Sequence, residues 1–134
     1  MRVYFDENFS PHLVAGLTAL QEGRPSEEVK VCSVADEFGK GAADEDWIPK
    51  VGSLGGIAIT QDINLNRTRA QWEMCQNNQI AVFFFRPPKK GGWNYWQIVQ
   101  LVIRQWKEIK GLARTAKKPF GYVIDFHKNK ILPL

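Results

Sequence analysis

Short apolar runs separated by amphipathic segments dominate the 134-residue chain. The run over residues 80–85 has no polar alternation, which indicates a strand buried on both faces. The spacing of Leu13, Leu17 and Leu20 is typical of a helix that packs on a core. The pattern predicts strands at residues 2–5, 29–33, 57–60 and 80–85, helices near 11–22, 44–54, 68–76 and 94–110, and a closing hairpin at 122–126 and 130–132. Alternating strands and helices predict an α/β fold with a mainly parallel sheet.

Residues typical of helix N-termini indicate where two of these helices begin. Ser10 followed by Pro11 is typical of a helix N-cap and first helical residue. The acidic run that begins at Asp44 favours the positive end of a helix, and Pro49 within that segment predicts a short or kinked helix. Residues 34–38 are ambiguous, and we see no linker or repeat. We therefore expect one domain over residues 1–134.

Composition excludes several classes of protein. The apolar run of 80–85 is too short to span a bilayer, and the N-terminus has no signal-peptide layout. Cys32 and Cys75 form neither a disulfide framework nor a metal motif, so we expect two buried, reduced thiols. We predict a cytoplasmic protein with no membrane partner.

Charge is divided unevenly along the chain. Residues 1–66 contain 5 Lys and Arg against 11 Asp and Glu, a net charge of −6, and residues 67–134 contain 13 against 3, a net charge of +10. An acidic half beside a basic half suits a cation site next to an anion-binding surface. Ordinary solvated surface is the alternative interpretation of the basic half.

Acidic residues follow two of the predicted strands and begin one helix. Asp6 follows the first strand, Asp62 follows the third, and Asp44 begins the helix after a glycine-rich loop. Ligands of parallel sheets bind at the carboxyl ends of the strands, so we expect these three side chains to meet there. Clustered carboxylates need a counter-charge, and Mg²⁺ or Mn²⁺ prefers oxygen ligands.

Each acid also has a structural interpretation as a cap or a turn residue. Ser10 already fills the capping position near Asp6, and Asn64 or Asn66 could cap the helix after Asp62. For Asp44, capping is a strong alternative. Glu7 and Asp46 are further candidate metal ligands, although neighbouring helical residues point about 100° apart.

Three segments together resemble the PIN-like domain family, and in particular its short members linked to VapC-type toxins. The segments are VYFDENFSP at residues 3–11, GKGAADEDWIP at 39–49, and IAITQD at 57–62, within a resemblance that covers residues 1–86. The resemblance implies a three-layer α/β/α sandwich and a metal-dependent ribonuclease. It assigns catalytic and metal-binding roles to Asp6, Asp44 and Asp62.

The resemblance also implies chemistry and partners. Mg²⁺ or Mn²⁺ would activate water for hydrolysis of an RNA phosphodiester bond. A toxin would have a cognate antitoxin protein as its partner, and we also consider a homodimer. Longer family members carry one more helical acid, for which Asp36 or Glu37 lies in the right interval. With that acid unmatched, the alternative is a non-catalytic PIN-like module that binds RNA or a partner protein.

Basic and aromatic residues supply candidate RNA contacts. Trp93, Tyr95 and Trp96 could stack on unpaired bases, but the spacing of Trp96, Val99, Ile103 and Trp106 also fits a core or a partner interface. Basic side chains near the same sheet edge would contact phosphates without selecting a sequence. The predicted RNA contacts are Lys40, Arg67, Arg69, Arg86, Lys89 and Lys90.

Overall fold

A computed structural model describes residues 1–61 and 64–134. Asp62 therefore lies outside the described residues. Strands and helices alternate along the chain as the apolar pattern predicts. The elements are β1 (Arg2–Phe5), α1 (Pro11–Glu22), a 3₁₀ turn (Pro25–Glu27), β2 (Lys30–Ser33), α2 (Val34–Phe38), α3 (Asp44–Ser53), β3 (Ile57–Gln61), α4 (Leu65–Asn77), β4 (Ala81–Arg86), α5 (Tyr95–Thr115), β5 (Phe120–Asp125) and β6 (Lys130–Pro133).

Six strands form one sheet in the order β2-β1-β3-β4-β5-β6. Strands β1 to β5 are parallel, and β6 pairs with β5 in the antiparallel hairpin that the sequence predicts. From β1 the chain continues to β2 on one side and later to β3 on the other. The carboxyl ends of β1 and β3 therefore flank a topological switch point, where ligands of such sheets bind.

Helices cover both faces of the sheet and give the three-layer α/β/α sandwich. On one face, α1 and α5 pack on Phe5, Phe83 and Phe85. On the other face, α2, α3 and α4 pack on Tyr4 and Phe84. The alternation of β4 side chains between two cores explains why the run 80–85 contains no polar residue.

Local signals fix where the helices begin. The Ser10 hydroxyl accepts from the His12 amide with Pro11 as the first helical residue, as predicted. The Ser33 hydroxyl caps α2 by accepting from the Asp36 amide, which makes the ambiguous segment 34–38 a short helix. Helix α3 spans ten residues and continues through Pro49.

The helical spacing misplaces several apolar side chains. Leu20 is exposed, and so are Trp96 (68%) and Ile103. Trp106 of the predicted row is buried, as expected for a core position, but α5 packs mainly through an adjacent row at Ile98, Leu101, Val102 and Ile109. Trp96 and Ile103 therefore lie outside the core, on the outward side of the helix.

The remaining composition-based expectations concern thiols and membrane spans. Cys32 and Cys75 are both buried and free, as expected, and burial raises the pKa of the Cys75 thiol to about 12. Such a thiol stays protonated and unreactive near neutral pH. Across residues 1–61 and 64–134, no helix has the length and apolar character that crossing a bilayer would require.

Candidate functional site

Asp6 lies at the carboxyl end of β1 with its carboxylate buried (3% exposed). Its main-chain amide continues the sheet by donating to the Ile59 carbonyl at 3.0 Å. Oδ1 accepts from the Asn8 amide at 3.1 Å, and Oδ2 accepts from the Thr60 hydroxyl and from Asn8 Nδ2 at 3.3 Å. Three donors therefore fix the orientation of one carboxylate at the switch point.

Burial has a clear electrostatic effect on Asp6. It raises the pKa of the carboxyl group to about 6, because the charged form loses hydration. The hydrogen bonds from Thr60 and Asn8 and the charge of Arg67 lower this pKa in part, whereas the nearby Asp44 raises it. Asp6 is therefore ionised above pH 6 and is then an acceptor that needs a positive partner.

Asp44 is the first residue of α3 and lies near Asp6 at the same edge. The N-cap position belongs to Ala43, which has no side-chain cap, so Asp44 does not cap the helix. Its Oδ1 instead accepts from the indole Nε1 of the buried Trp47 at 3.0 Å. The Asp44 carboxylate is thus held in place by Trp47, a core residue one helical turn away.

Arg67 lies between the two acids. Its Nε is 3.4 Å from Asp44 Oδ2, and its Nη2 is 4.0 Å from Asp6 Oδ2. The side chain is on the first turn of α4, whose start is fixed by Asn64 accepting from the amides of Asn66 and Arg67. The sequence predicts Arg67 as an RNA contact, and the structure places it against two carboxylates.

A cleft of about 310 Å³ opens beside Asp6 and is bordered by Glu7 and Lys40. The Glu7 carboxylate accepts from the Gly41 amide at 2.9 Å, which ties the glycine-rich loop to the end of β1. Gly41 has a φ of +77°, a conformation that glycine adopts without strain. Lys40 lies on this loop, where an ammonium group can reach an anion in the cleft. Asp46 is exposed on α3.

The other predicted RNA contacts lie along the same edge or on α4. Arg86 ends β4 and pairs with Asp125 at 3.7 Å. The Lys89 amide donates to Nε2 of His127 at 3.1 Å, so the loop after β4 is held against the hairpin. Lys90 is exposed on this loop and Arg69 is exposed on α4. The hydrogen bonds and salt bridges of Asp6 and Asp44 in the described part of the chain involve other residues than these four.

A second cleft of about 360 Å³ lies on the other side of the Asn8 turn. Its lining combines the polar side chains of Ser10 and Gln61 with the aromatic rings of Trp93 and Tyr95. The Gln61 amide donates to the Asn8 carbonyl at 3.1 Å, which links this cleft to the Asp6 turn. Trp96, the third aromatic residue predicted to stack on bases, does not line it.

The predicted trio of acids is therefore only partly described. Asp6 and Asp44 come together, and Asp62 follows β3 outside the described residues. Among residues 1–61 and 64–134, no group of three or more His, Cys, Asp or Glu side chains is arranged to hold a metal ion.

Sequence reasoning missed the side chains that orient the two acids. Asn8 lies in the segment 3–11 and Thr60 in the segment 57–62 that carry the family resemblance, but the resemblance assigns a role to neither side chain. Trp47 follows Asp44 by three residues in the segment 39–49, and as a large apolar residue its pattern indicates only a core position. A signal for all three existed in the sequence, since each is a hydrogen-bond donor within three residues of a strand end or of Asp44.

Comparison with known proteins agrees with this architecture. A family model described as a PIN like domain matches residues 1–87, a span that contains Asp6, Asp44, Thr60 and Arg67. No curated protein and no solved structure gives a significant match to the chain. PIN domains have a nuclease-type fold and generally use divalent metal ions. Because the matched span covers more than half of the sequence, the chain belongs to the PIN-like domain family.

Proposed function

We propose that the protein is a metal-dependent endoribonuclease that hydrolyses RNA phosphodiester bonds with Mg²⁺ or Mn²⁺ at Asp6, Asp44 and Asp62. The observation that carries the proposal is the convergence of the Asp6 and Asp44 carboxylates on a single positive group, the guanidinium of Arg67. A place that already holds one cation between two carboxylates has the charge and the oxygen donors that a hard divalent ion prefers.

The donor set supports this metal assignment. Asp6 and Asp44 would hold the ion, and Asp62 is the third ligand predicted from the sequence. A bound divalent ion would supply polarisation of the phosphate and activation of water. Glu7 and Asp46 remain further candidate ligands, although Glu7 accepts from the Gly41 amide and Asp46 is exposed.

The residues around the acids would prepare the site. Thr60 and Asn8 hold the Asp6 carboxylate in one orientation, and Trp47 does the same for Asp44. Partners of this kind orient metal ligands and raise metal affinity. The site would therefore be rigid before the ion binds, which reduces the reorganisation that binding requires.

Clefts on both sides of the Asn8 turn suit an RNA strand. Lys40 in one cleft would contact a phosphate, and Trp93 and Tyr95 in the other would stack on an unpaired base. Arg69, Arg86, Lys89 and Lys90 would add contacts to the backbone that depend on salt and not on sequence. The resemblance to VapC-type toxins extends the proposal to a toxin with a protein antitoxin as its partner.

The test is cleavage of an end-labelled single-stranded RNA by purified protein with Mg²⁺, with Mn²⁺ and with EDTA. We expect metal-dependent cleavage by the wild type and losses of at least about 100-fold in Asp6→Asn and Asp44→Asn. Glu108→Gln, an exposed carboxylate change on α5, is the matched control and should keep wild-type activity. Equal cleavage by all four proteins would refute the assignment, since it would indicate a contaminating nuclease.

One observation favours a second candidate function. Arg67 pairs with both Asp6 and Asp44, as it would in a structural ion-pair network of a non-catalytic module that binds RNA or a partner protein. Calorimetric titration with Mn²⁺ separates the two functions. Binding that is lost in Asp6→Asn supports the nuclease, and absence of Mn²⁺ binding together with retained RNA binding supports the module.

A further inference from the structure

The position of Arg67 poses a problem for any cation at this site. The guanidinium is 3.4 Å from one carboxylate oxygen of Asp44 and 4.0 Å from one of Asp6. The same oxygens face the space between the two acids. A divalent ion and a guanidinium cannot share that space, because both are positive and both need those oxygen atoms.

Without a bound ion, the two acids would need a positive charge at the position that Arg67 occupies. Asp6 is buried and close to Asp44, so the ionised pair would repel and lack a counter-charge without a cation nearby. The donors from Thr60, Asn8 and Trp47 satisfy oxygen lone pairs but carry no charge. Among the described residues, Arg67 is the cationic side chain that pairs with both acids.

The anchoring of Arg67 allows it to leave. Its side chain is 38% exposed, while those of Asp6 and Asp44 are far more buried. Its backbone is fixed by the Asn64 cap at the start of α4, so outward rotation of the side chain requires no change in the helix. The two acids stay in place through their own hydrogen bonds when the guanidinium moves.

We propose that Arg67 is a built-in counter-cation, which holds Asp6 and Asp44 in the metal-free protein and is displaced when a divalent cation binds. This inference rests on the metal site of the proposed function. It sets an order of binding, because Arg67 becomes free to contact an RNA phosphate only after the ion has taken its place. The cation is thus both the ligand of the site and the signal that releases a basic side chain.

The test compares Arg67→Gln with Arg69→Gln, which removes the same charge from an exposed position on the same helix turn. Mn²⁺ affinity is measured by calorimetry on the full chain at neutral pH. We expect Arg67→Gln to bind Mn²⁺ roughly tenfold more tightly than the wild type, because the competing cation is gone. Arg69→Gln should change the affinity far less, and Arg67→Lys, which keeps the charge, should stay close to the wild type.

Thermal unfolding without metal supplies a second readout that is independent of activity. Arg67→Gln should unfold at a lower temperature than the wild type and Arg69→Gln should not, and saturating Mn²⁺ should remove the difference. An Arg67→Gln protein that is folded and binds Mn²⁺ no more tightly than the wild type would overturn the inference, since Arg67 would then only position the acids.

The outcomes also separate this inference from the proposed function. If the wild type fails to bind Mn²⁺ and Arg67→Gln binds it, Arg67 blocks the site and the ion does not displace it, so the proposed displacement is overturned. If no variant binds Mn²⁺ and none cleaves RNA, the proposed metal site fails and displacement by a divalent ion fails with it. If the wild type cleaves RNA and Arg67→Gln shows no gain in affinity, only the inference on Arg67 fails.

Discussion

The hydroxyl of Thr60 donates a hydrogen bond to Oδ2 of Asp6 across the neighbouring strands β3 and β1. Both residues are buried, and they are 54 positions apart in the sequence. The parallel pairing of Phe5 with Ile59 sets this contact, because it places the next residue of each strand side by side at the carboxyl edge. The register of β1 and β3 therefore fixes the position of Asp6 beside Thr60 without the help of a ligand.

Replacement of Thr60 by valine should destabilise the protein in a pH-dependent way. Valine has nearly the same shape but leaves the buried Asp6 carboxylate without one donor, which costs about 1–3 kcal/mol when the group is charged. We expect that loss in the free energy of unfolding by urea at pH 8, and a smaller loss at pH 4, where Asp6 is protonated. Thr18→Val, a hydroxyl bonded to the Val14 carbonyl in α1, is the control and should show no such pH dependence.

Asp6 should make the folded protein less stable as the pH rises. Burial raises its folded-state pKa to about 6 from an ordinary 3.8, so folding favours the protonated form. Its stabilising contribution is complete below about pH 3.8 and is lost as the pH rises through 6. Across that window the difference is worth roughly 2–3 kcal/mol.

The measurement is the free energy of unfolding of wild type and Asp6→Asn from pH 4 to pH 8 in EDTA. Asparagine does not titrate. The free energy of unfolding of Asp6→Asn minus that of the wild type should therefore increase by roughly 2–3 kcal/mol between pH 4 and pH 8. Groups common to both proteins cancel in the comparison. Two parallel stability curves would show that the pKa of Asp6 is not raised by folding.

The sequence predicts the acids of the site better than their partners. Asp6 and Asp44 are found because they follow an apolar run or begin a helix, which are local signals. Asn64 is one of the two caps that the sequence suggests for α4, but the pairing of Arg67 with both acids also depends on the rotation of α4 about its axis, which no linear pattern contains. A basic residue after a strand predicts only that a positive charge lies near the edge.

The sequence also does not show which face of the longest helix, α5, is buried. Trp96 and Ile103 fit one helical row, Ile98, Leu101 and Val102 fit an adjacent one, and Trp106 lies at the border between them and is buried. The helical spacing shows that both rows are apolar, but it does not determine which row packs on the sheet. The choice follows from how α5 packs on Phe83 and Phe85, a tertiary contact that leaves Trp96 and Ile103 exposed.

Two helical glycines should respond to alanine in opposite ways. A Cβ at Gly52 in α3 would lie 2.8 Å from the Asn78 carbonyl oxygen, a backbone atom that cannot move alone. We expect Gly52→Ala to destabilise the protein by about 1–3 kcal/mol, as overpacking does. A Cβ at Gly111 in α5 has no neighbour within 4 Å, so Gly111→Ala should stabilise by roughly 0.5–1 kcal/mol. Urea denaturation of both variants checks the prediction, and a gain in both would contradict the close approach of α3 to residue 78.

Trp47 should affect the metal site although it lies in the core. Its indole donates to Asp44 Oδ1 at 3.0 Å, and phenylalanine keeps the ring in the core without this donor. Loss of a partner that orients a metal ligand typically costs 10–100-fold in metal affinity, so Trp47→Phe should bind Mn²⁺ about tenfold more weakly or worse. Trp72→Phe truncates another tryptophan packed on the same core, near Gly121, and controls for the loss of ring volume. Equal Mn²⁺ affinities in the two folded variants would mean that the indole hydrogen bond does not orient Asp44 for a cation.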